Sequence, residues 1–356
     1  MNEELARAAS GEELRVDYTS IEKSLSELWR VEGAEGEKAV TRAALWNVLV
    51  HTCSPADHTL ASETLSKVSS SVPQRTIVVR ADPKGKEGIA AWISANCHVM
   101  SGQKQVCSEE VAIVAGGSRV AQVPPLVSAL LIPDMPVAFW WVGDIPDETA
   151  HYVDHLLEPA DRLIVDSRSF NSLRDLMWLN RVASNTATAP ADLNWVRLED
   201  WRAATAAIFD GPMMREKLSA ITRVRLAANE GERDFFGDSV ESLYYAAWLT
   251  AQTSDITASP IDFTFETVVT GGESGKLNEV HIEFGEGSEA LIERDRHRGV
   301  LMAAVDGVEH MVDNVTRVLG RRLDELIVRQ LKRPETDAVF VKVLPVAIEM
   351  ASRIEK

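Results

Sequence analysis

The sequence has no apolar stretch that approaches the roughly 20 residues of a membrane-spanning helix. Its first residues, MNEELARAASGEELRVDY, are polar and acidic, and they lack the apolar core of a signal peptide. Only three cysteines occur, Cys53, Cys97 and Cys107, which are too few for the disulfide framework of a secreted domain. We therefore expect a cytoplasmic protein that contacts no membrane.

Basic residues are scarce relative to acidic ones. The chain has 37 Lys and Arg residues against 54 Asp and Glu residues, which gives a formal net charge of −17. Such a charge repels nucleic acids and anionic membranes at long range. The 356 residues are 45% hydrophobic, enough to form the cores of two domains. This balance favours a protein that meets other proteins or small ligands, and it argues against a nucleic-acid partner.

The common catalytic signatures are absent as well. No G-x-x-x-x-G-K-S/T phosphate loop and no G-x-S-x-G nucleophile elbow occurs in the sequence. GEGSEA, residues 285–290, has the spacing of a dinucleotide fingerprint, but a strand-like segment follows where the pyrophosphate requires a helix N-terminus. We interpret it as a hairpin turn and expect neither an enzyme nor a cofactor.

HTCSPADH brings four potential metal ligands close together in sequence, namely His51, Cys53, Asp57 and His58. Zinc requires three or four convergent ligands. A strand is expected to end at the first two residues, and the last two are expected in the first turn of a helix with Ser54 as its N-cap. We interpret the segment as a strand-to-helix turn and expect no metal.

The first part of the chain is predicted to be an α/β domain. Residues 1–38 contain a tail, disordered over about the first twelve residues, and an amphipathic helix. Residues 39–190 alternate strands and helices, which indicates a mixed, largely parallel sheet with flanking helices. Within this domain, two strand-like arms flank SGQKQ and predict a β-hairpin.

The second part, residues 191–356, is predicted to be an α+β domain. Helices are predicted at about 199–209, 212–227, 238–252, 309–331 and 336–354. Between the third and the fourth of these helices, four short strand-like segments alternate with Gly-rich turns, which is typical of an antiparallel meander.

The predicted hairpin places two cysteines opposite each other. If its turn is centred on Gly102, residues whose numbers sum to 204 are cross-strand partners, and Cys97 and Cys107 meet that condition. Cross-strand Cβ atoms lie about 4.5–5.5 Å apart, a little too far for a disulfide without adjustment. The pair is either a redox-sensitive couple or, as is usual in a cytosolic protein, two reduced core cysteines.

An ordered set of segments resembles a known protein family. In chain order the set is LWNVLV, PQRTIVV, QVCSEEVAIVAGG, LLIPDMPVAFWWVGDIP, ADRLIVDS and ADLNWVRLEDWRAATAAIFD. It spans roughly residues 40–210 and resembles the OpcA-type glucose-6-phosphate dehydrogenase assembly proteins. The resemblance implies a non-catalytic assembly factor and allosteric activator that binds oligomeric glucose-6-phosphate dehydrogenase of the oxidative pentose phosphate pathway. It also implies redox control through cysteines in photosynthetic members, a role that only Cys97 and Cys107 could take here.

Aromatic, proline and arginine side chains near acidic loops are the candidates for a partner surface, because a few such anchors supply most interface energy. The candidates are Asp134, Pro136, Trp140, Trp141, Asp144, Trp195 and Arg197. Successive strand residues point to opposite faces of a sheet. We therefore expect one of Trp140 and Trp141 to be a core residue and the other, with the acidic loop after it, to form a contact surface.

One alternative remains open. Asp166 and Ser167 follow a strand at the carboxyl edge of the predicted sheet, where α/β folds usually bind ligands. An α/β enzyme or sensor would hold a sugar phosphate or nucleotide there, near Gly143, Asp144 and Arg168. The same residues also suit helix capping or ion pairing, which needs no ligand.

Overall fold

The structure is a computed structural model of the chain. It describes residues 2–9, 11–35, 40–42, 44–99, 105–145, 151–230, 239–257, 259–269, 275–306, 314–317, 322–333 and 335–354. The α-helices of these residues are α1 (Asn2–Ala9), α2 (Ile21–Glu35), α3 (Pro55–Ser69), α4 (Val123–Leu130), α5 (His151–Leu157), α6 (Leu173–Asn185), α7 (Leu193–Arg197), α8 (Glu199–Ile208), α9 (Pro212–Lys217), α10 (Val240–Thr253), α11 (Leu323–Leu331) and α12 (Ala338–Ile354).

The strands of the described residues form two sheets. They are β1 (Leu14–Val16), β2 (Val40–Arg42), β3 (Trp46–Thr52), β4 (Gln74–Asp82), β5 (Gly88–Val99), β6 (Gln105–Gly116), β7 (Val137–Val142), β8 (Arg162–Val165), β9 (Ala189–Asp192), β10 (Ile221–Asn229), β11 (Asp262–Val268), β12 (Leu277–Phe284), β13 (Glu289–Asp295), β14 (Val300–Val305) and β15 (Asn314–Arg317). The predicted α/β class is confirmed.

The first sheet has the strand order β1-β5-β6-β4-β3-β7-β8-β9, and β2 pairs with β6 outside this path. Strands β6, β4, β3, β7 and β8 are mutually parallel, whereas β1 and β5 are antiparallel to their neighbours. The chain leaves β3 for β4 on one side and later returns to the other side of β3 with β7. Such a reversal of strand order is the switch point at which open α/β sheets bind ligands.

Local sequence accounts for the centre of this sheet. All seven residues of β3 are buried, as expected for a parallel strand that is covered on both faces. Ser54 and Asp57 form a capping box at the start of α3, and Pro55 occupies the first helical position. The predicted strand-to-helix turn is therefore confirmed. The predicted hairpin is also confirmed, since β5 and β6 pair antiparallel with Cys97 opposite Cys107.

The N-terminal residues differ from the prediction. The segment expected to be disordered contains α1, in which Leu5 and Ala8 are 5% and 1% exposed. That expectation is wrong, because two apolar side chains on one helical face are buried and offset the entropy lost on ordering. The predicted amphipathic helix is confirmed as α2, with Ile21, Leu25 and Leu28 on its buried face.

The second sheet has the strand order β11-β10-β12-β13-β14-β15. Its pairs are antiparallel except β10 with β11, which are parallel. The predicted helix over 212–227 is wrong in its second half, where Ile221–Asn229 forms the strand between β11 and β12. Ile221 and Val224 have the spacing of one helix face, whereas Val224 and Leu226 have the spacing of one strand face. Because the segment pairs with β11 on one side and with β12 on the other, tertiary contacts stabilise the strand over the helix.

The predicted helix over 309–331 is also shorter in the structure. Residues 314–317 form β15, which pairs with β14, and α11 begins only at Leu323. Residues 309–313 and 318–321 of that prediction lie outside the described residues. The predicted meander of four strands corresponds to β11, β12, β13 and β14, although β11 pairs with β10 instead of with β12.

The chain forms two compact units, each assembled from non-contiguous segments. The first comprises Met1–Val165, Ala187–Ala191 and Arg322–Thr336, and the second comprises Asp166–Thr186, Asp192–Arg321 and Asp337–Lys356. The first unit contains the nine-stranded sheet, and the second contains the six-stranded sheet. The domain boundary placed between residues 190 and 191 stays a prediction.

Among the described residues, none of the helices combines the length and the apolarity that crossing a bilayer requires.

Candidate functional site

Aromatic rings occupy the carboxyl edge of the first sheet at its switch point. His51, near the end of β3, stacks on Trp141 of β7 with ring centroids 3.9 Å apart and 6° between the ring planes. The Tyr152 hydroxyl of α5 lies 3.0 Å from His51 Nε2. Ligands of open α/β sheets bind in the crevice outside this edge. Here the buried rings of His51 and Trp141 pack against each other near the ends of their strands.

This aromatic cluster is electrically neutral near pH 7. His51 is 2% exposed, and burial lowers the pKa of its imidazole to about 3. Burial also raises the pKa of the Tyr152 hydroxyl to about 12. General acids and bases work best when their pKa lies near the working pH. Neither group is therefore suited to proton transfer at neutral pH.

The loops that leave β3 and β7 pack directly against each other. Gly143 has a φ of 98°, and a Cβ atom there would lie 3.0 Å from Cys53 Sγ and 3.1 Å from Asp57 Oδ2. The Cys53 thiol donates to the Asp144 carbonyl oxygen at 3.5 Å, and Trp141 Nε1 donates to the same oxygen at 2.8 Å. Glycine is required at this position both by its φ and by the close approach of the other loop.

The N-terminus of α3 at this edge is occupied by its own capping groups. Pro55 has no N–H, Asp57 N donates to Ser54 Oγ at 3.1 Å, and Ser54 N donates to Asp57 Oδ2 at 2.9 Å. Helix N-termini attract phosphate through free N–H groups and the positive end of the dipole. A carboxylate already sits at this one, which disfavours a second anion.

The Cys53 thiol at the same edge is a poor nucleophile. Although the residue is exposed, its sulfur lies against Gly143 and the Asp144 carbonyl. This desolvation, together with the Asp57 and Asp144 carboxylates, raises the pKa of the thiol to about 11. Because the thiolate is the reactive form, this shift lowers the nucleophilicity of Cys53 at neutral pH.

The amino edge of the same sheet has a buried charge cluster. Arg75 of β4 is 3% exposed and pairs through Nε with Glu109 of β6 and through Nη1 with Glu22 of α2, the latter at 2.6 Å. Trp29 Nε1 of α2 donates to Glu109 at 2.8 Å. Each buried charge therefore has a partner, and the cluster fastens α2 to the sheet.

A cavity of about 640 Å³ lies beside this cluster. Its wall combines the charged side chains of Glu22, Arg75 and Glu109 with the apolar loop that follows α4. Cavities of this size, apolar with a few converging polar groups, are the usual form of a binding site. The amino edge thus offers the first unit a recess.

The loop between α4 and β7 is held rigid by one buried amide. Asn47 of β3 is fully buried; its Nδ2 donates to the carbonyls of Ile132 at 3.0 Å and Met135 at 3.3 Å, and its Oδ1 accepts from Ile132 N at 2.8 Å. Asp134, exposed at the tip, has a φ of 61°. Sequence reasoning missed Asn47, although a polar residue within the apolar run LWNVLV was a signal.

The structure does not divide the two tryptophans into one core residue and one surface residue. Trp140 and Trp141 are 2% and 3% exposed, so both are core residues. Of the predicted contact residues in the first unit, Asp144 is exposed at the carboxyl edge, whereas Asp134 is exposed and Pro136 is half-buried at the amino edge. Contact of any of these residues with a partner stays a prediction.

Asp166 and Arg197 form a bidentate ion pair in the second unit, with N–O distances of 2.8 and 2.7 Å. Burial would raise the pKa of the Asp166 carboxyl, but Arg197 and Arg168 hold that pKa below its usual range. Arg168 also pairs with Glu241 of α10 at 2.8 Å. The structure thus shows Asp166 and Arg168 in ion pairs, as one of the interpretations of the sequence expected. Gly143, in contrast, belongs to the first unit.

Asp192 lies at the centre of the same network and was missed by sequence reasoning. Its carboxylate accepts hydrogen bonds from Ser167 N at 3.1 Å, Asn194 N at 2.8 Å and the Tyr244 hydroxyl at 2.7 Å. Burial, and then the neighbouring Asp166 carboxylate, raise the pKa of Asp192 to about 6. The only sequence signal was its N-cap position before α7.

Trp195 is also internal to the second unit. It is 3% exposed, its Nε1 donates to Asp337 Oδ2 at 2.9 Å, and the guanidinium of Arg202 lies 3.3 Å from its ring centroid. Trp195 and Arg197 therefore support the fold of this unit, and their predicted role in partner binding stays a prediction.

A disulfide joins Cys97 and Cys107 across the hairpin, with their Cα atoms 4.0 Å apart. The cross-strand register predicted from the sequence is confirmed. Cys107 also lines the cavity at the amino edge. Regulation through this pair stays a prediction.

The four potential metal ligands of HTCSPADH have different partners. His51 contacts Tyr152, Cys53 donates to Asp144, and Asp57 caps α3. His58 turns away from these residues and faces two glutamates, Glu13 and Glu110.

Two sequence models of one family match the chain. One, described as a glucose-6-phosphate dehydrogenase subunit N-terminal domain, matches residues 66–181, and the other, the C-terminal domain of that subunit, matches residues 188–344. Curated relatives named "Putative OxPP cycle protein OpcA" are 26% identical over 202 residues in Synechocystis sp. and 30% identical over 170 residues in Nostoc punctiforme. These alignments cover 56% and 47% of this chain but only 40% and 35% of the relatives. The aligned region is thus less than half the length of either relative.

A solved structure shares the fold. Glucose-6-phosphate 1-dehydrogenase from Mycobacterium avium superposes with a TM-score of 0.51 at 10% sequence identity, over 88% of this chain and 92% of that one. At this identity the likeness concerns the fold alone. Both family models match in order and leave few residues between them. The chain therefore belongs to the OpcA-type glucose-6-phosphate dehydrogenase assembly protein family.

Proposed function

We propose that this chain is a non-catalytic assembly factor that binds oligomeric glucose-6-phosphate dehydrogenase in the cytoplasm and raises its activity allosterically. The observation that carries the proposal is the match of both assembly-family domains, over residues 66–181 and 188–344. The curated relatives are named for the OxPP cycle, which is consistent with a dehydrogenase partner.

The carboxyl edge of the first sheet supports a non-catalytic role. A dinucleotide would need a glycine-rich turn after β3 and free N–H groups at the start of α3. The chain has Cys53, Ser54 and Pro55 in that turn, and the Asp57 carboxylate accepts the Ser54 N–H. The His51 and Trp141 rings also lie at the strand ends. These features disfavour the alternative, a nucleotide or sugar phosphate bound at this edge.

The amino edge is the favoured contact surface. The loop between α4 and β7 is fixed by Asn47, so a partner that binds it loses little conformational entropy. The loop presents an exposed carboxylate, Asp134, beside the exposed Met135 and the half-buried Pro136. Rigid apolar groups beside a charge are typical of interface anchors. Trp140 and Trp141 would act only indirectly, by holding β7 and its flanking loops in place.

Activation follows from differential binding. An activator shifts an enzyme only by binding its active state more tightly than its inactive state. A tenfold shift of that equilibrium requires about 1.4 kcal/mol of differential binding free energy. One or two anchor side chains at an interface supply that amount.

The test is titration of this protein into glucose-6-phosphate dehydrogenase from the same organism, with activity and sedimentation as readouts. We expect the wild-type chain to raise activity and to co-sediment with the enzyme. Asp134→Asn, which tolerates the same backbone conformation, and Met135→Glu should weaken both effects. Met213→Glu alters a similarly exposed methionine in the second unit and is the matched control. An unchanged enzyme in both assays would refute the proposal.

A second measurement addresses the alternative function. Thermal unfolding of the chain is followed with NADP⁺, NAD⁺ and glucose 6-phosphate at millimolar concentrations. A ligand that binds the folded state raises the melting temperature. We expect no shift. A shift abolished by changes at Gly143 or Asp144 would favour the nucleotide or sugar-phosphate function instead.

A further inference from the structure

Three side chains from distant parts of the sequence converge at one point of the first unit. Glu13 directly precedes β1, His58 lies in the first turn of α3, and Glu110 lies in β6. One ligand atom of each lies within 4.8 Å of the other two. His58 Nε2 is 3.5 Å from Glu13 Oε1. Neither the proposed function nor the aromatic cluster at the carboxyl edge uses these residues.

Glu110 is the unusual member of this cluster. It is 6% exposed, and within the described part of the chain its carboxylate makes one hydrogen bond, from Ser62 Oγ at 2.7 Å, and no ion pair. Burial raises the pKa of this carboxyl above its usual range. A buried carboxylate with so little compensation is costly unless it takes up a proton or meets a cation. Apart from the His58 imidazole, the described residues place no cationic side chain in an ion pair with Glu110.

His58 can accept such a cation. Its Nδ1 is buried and has no hydrogen-bond partner among the described residues, so nothing there fixes the tautomer of the ring. The neutral ring can then offer Nε2, which faces Glu13, as a ligand. The cluster thus combines one imidazole nitrogen with two carboxylates, and Glu13, the exposed member, leaves one side open to water.

We propose that Glu13, His58 and Glu110 form a binding site for a divalent transition-metal ion, with Zn²⁺ as the best match and Mn²⁺ as the second. Imidazole and carboxylate ligands suit both ions. Three protein ligands plus water is a common zinc arrangement, with metal–ligand distances of about 2.0–2.2 Å. Ligand atoms around a tetrahedral ion are then about 3.4 Å apart, so the three side chains, whose ligand atoms lie within 4.8 Å of one another, would move slightly closer on binding.

A bound ion would join three segments that are otherwise separate in sequence. It would fasten the segment before the edge strand β1 to α3 and to β6. A buried carboxylate would gain its counter-charge, and the folded state would become more stable by mass action. The ion is therefore structural and independent of dehydrogenase binding, so failure of one proposal leaves the other standing.

The test is isothermal titration of the full chain, treated with a chelator, with ZnCl₂ and separately with MnCl₂. The Cys53→Ser background is used because a free thiol binds zinc by itself, and reductant is omitted to keep the Cys97–Cys107 disulfide. We expect one ion per chain and a higher melting temperature. Glu110→Gln and His58→Gln should each weaken binding at least about tenfold, as loss of a ligand or its orientation usually does.

The matched control is His155→Gln. His155 also lies beside a glutamate, Glu158, at 3.0 Å, but both are exposed on the surface of α5 and the residue after it. Binding should be unchanged in this variant. Glu13→Gln changes an exposed residue and replaces the buried variants in this test if they fail to fold. It too should weaken metal binding. The proposal is overturned if neither ion binds at about 100 μM, or if the three cluster variants bind as tightly as the control.

Discussion

The two edges of the first sheet are built from the same parallel strands but differ in charge and polarity. At the carboxyl edge, the neutral rings of His51 and Trp141 stack near the ends of β3 and β7, next to the crevice at which α/β sheets usually hold ligands. At the amino edge, Arg75 pairs with the buried Glu109 and the exposed Glu22 beside a cavity of about 640 Å³. We call the carboxyl edge, where aromatic rings and a helix cap pack, the closed edge, and the amino edge, which has a recess, the open edge.

The chain shares its fold with a dehydrogenase, but its turn between β3 and α3 lacks the glycines of a dinucleotide site. Carboxylates and aromatic rings at the switch point disfavour phosphate groups, while the strands behind them keep the architecture. The predictions below test the packing of the closed edge and the charges of the open one.

The largest effect is expected at the closed edge. Trp141→Ala removes a buried ring that stacks on His51, and it should lower the free energy of unfolding by about 3–5 kcal/mol. Urea denaturation of the full chain measures the loss. Trp140→Ala should cost a similar amount, since that ring is equally buried. A Trp141→Ala chain as stable as wild type would show that the ring does not pack as described.

At the open edge, removing one charge should be nearly as damaging. Arg75→Met leaves the Glu109 carboxylate, 3% exposed, without its main counter-charge and should cost about 3 kcal/mol. The double variant Arg75→Met, Glu109→Gln should recover part of that loss, because it removes both buried charges. The measurement is a double-mutant cycle by urea denaturation. Simple additivity of the two single variants would mean that the pair is not coupled.

Acid should lower the free energy of unfolding through His51 at the closed edge. Burial lowers the pKa of its imidazole to about 3 in the folded state, whereas an unfolded His titrates near pH 6.5. The unfolded chain therefore binds the proton first. The neutral His51 imidazole contributes its full share to the free energy of unfolding above about pH 6.5. That share is lost as the pH falls towards 3, at up to about 1.4 kcal/mol per pH unit.

The measurement is the difference in unfolding free energy between wild type and His51→Phe at several pH values. The variant keeps a ring against Trp141 but cannot titrate, so its stability should fall less steeply below pH 6.5. His155→Phe, at an exposed position on α5, should follow wild type. Parallel curves for wild type and His51→Phe would show that His51 is not buried in its neutral form.

The smallest effect is expected at Gly143, where comparison with a second glycine separates the cost of backbone strain from the cost of lost packing. Gly143→Ala should cost about 1–3 kcal/mol, because φ is 98° and the added Cβ would lie 3.0 Å from Cys53 Sγ. Gly299→Ala is the matched control, with a φ of 64° and no atom within 4 Å of the added Cβ. The difference between the two melting temperatures measures how tightly the β3 and β7 loops pack. Equal losses would mean that the edge is looser than described.

Several features of the fold were predictable because they depend on neighbours in sequence. The capping box of Ser54 and Asp57, the buried run of β3 and the hairpin register of Cys97 and Cys107 follow from local pattern. Residues 221–229 were not predictable in this way. Part of their apolar spacing is helical and part is strand-like, and pairing with β11 and β12 decided between the two.

The candidate sites show the same division. The sequence by itself determined the residue types at the switch point, including the lack of a glycine-rich turn, and so disfavoured a dinucleotide site. Only the tertiary structure decided that both Trp140 and Trp141 are buried, that Asn47 fixes the Asp134 loop, and that Glu13, His58 and Glu110 meet. The physical reason is distance along the chain. Caps and registers are set within a few residues, whereas burial and convergence depend on which segments pack together.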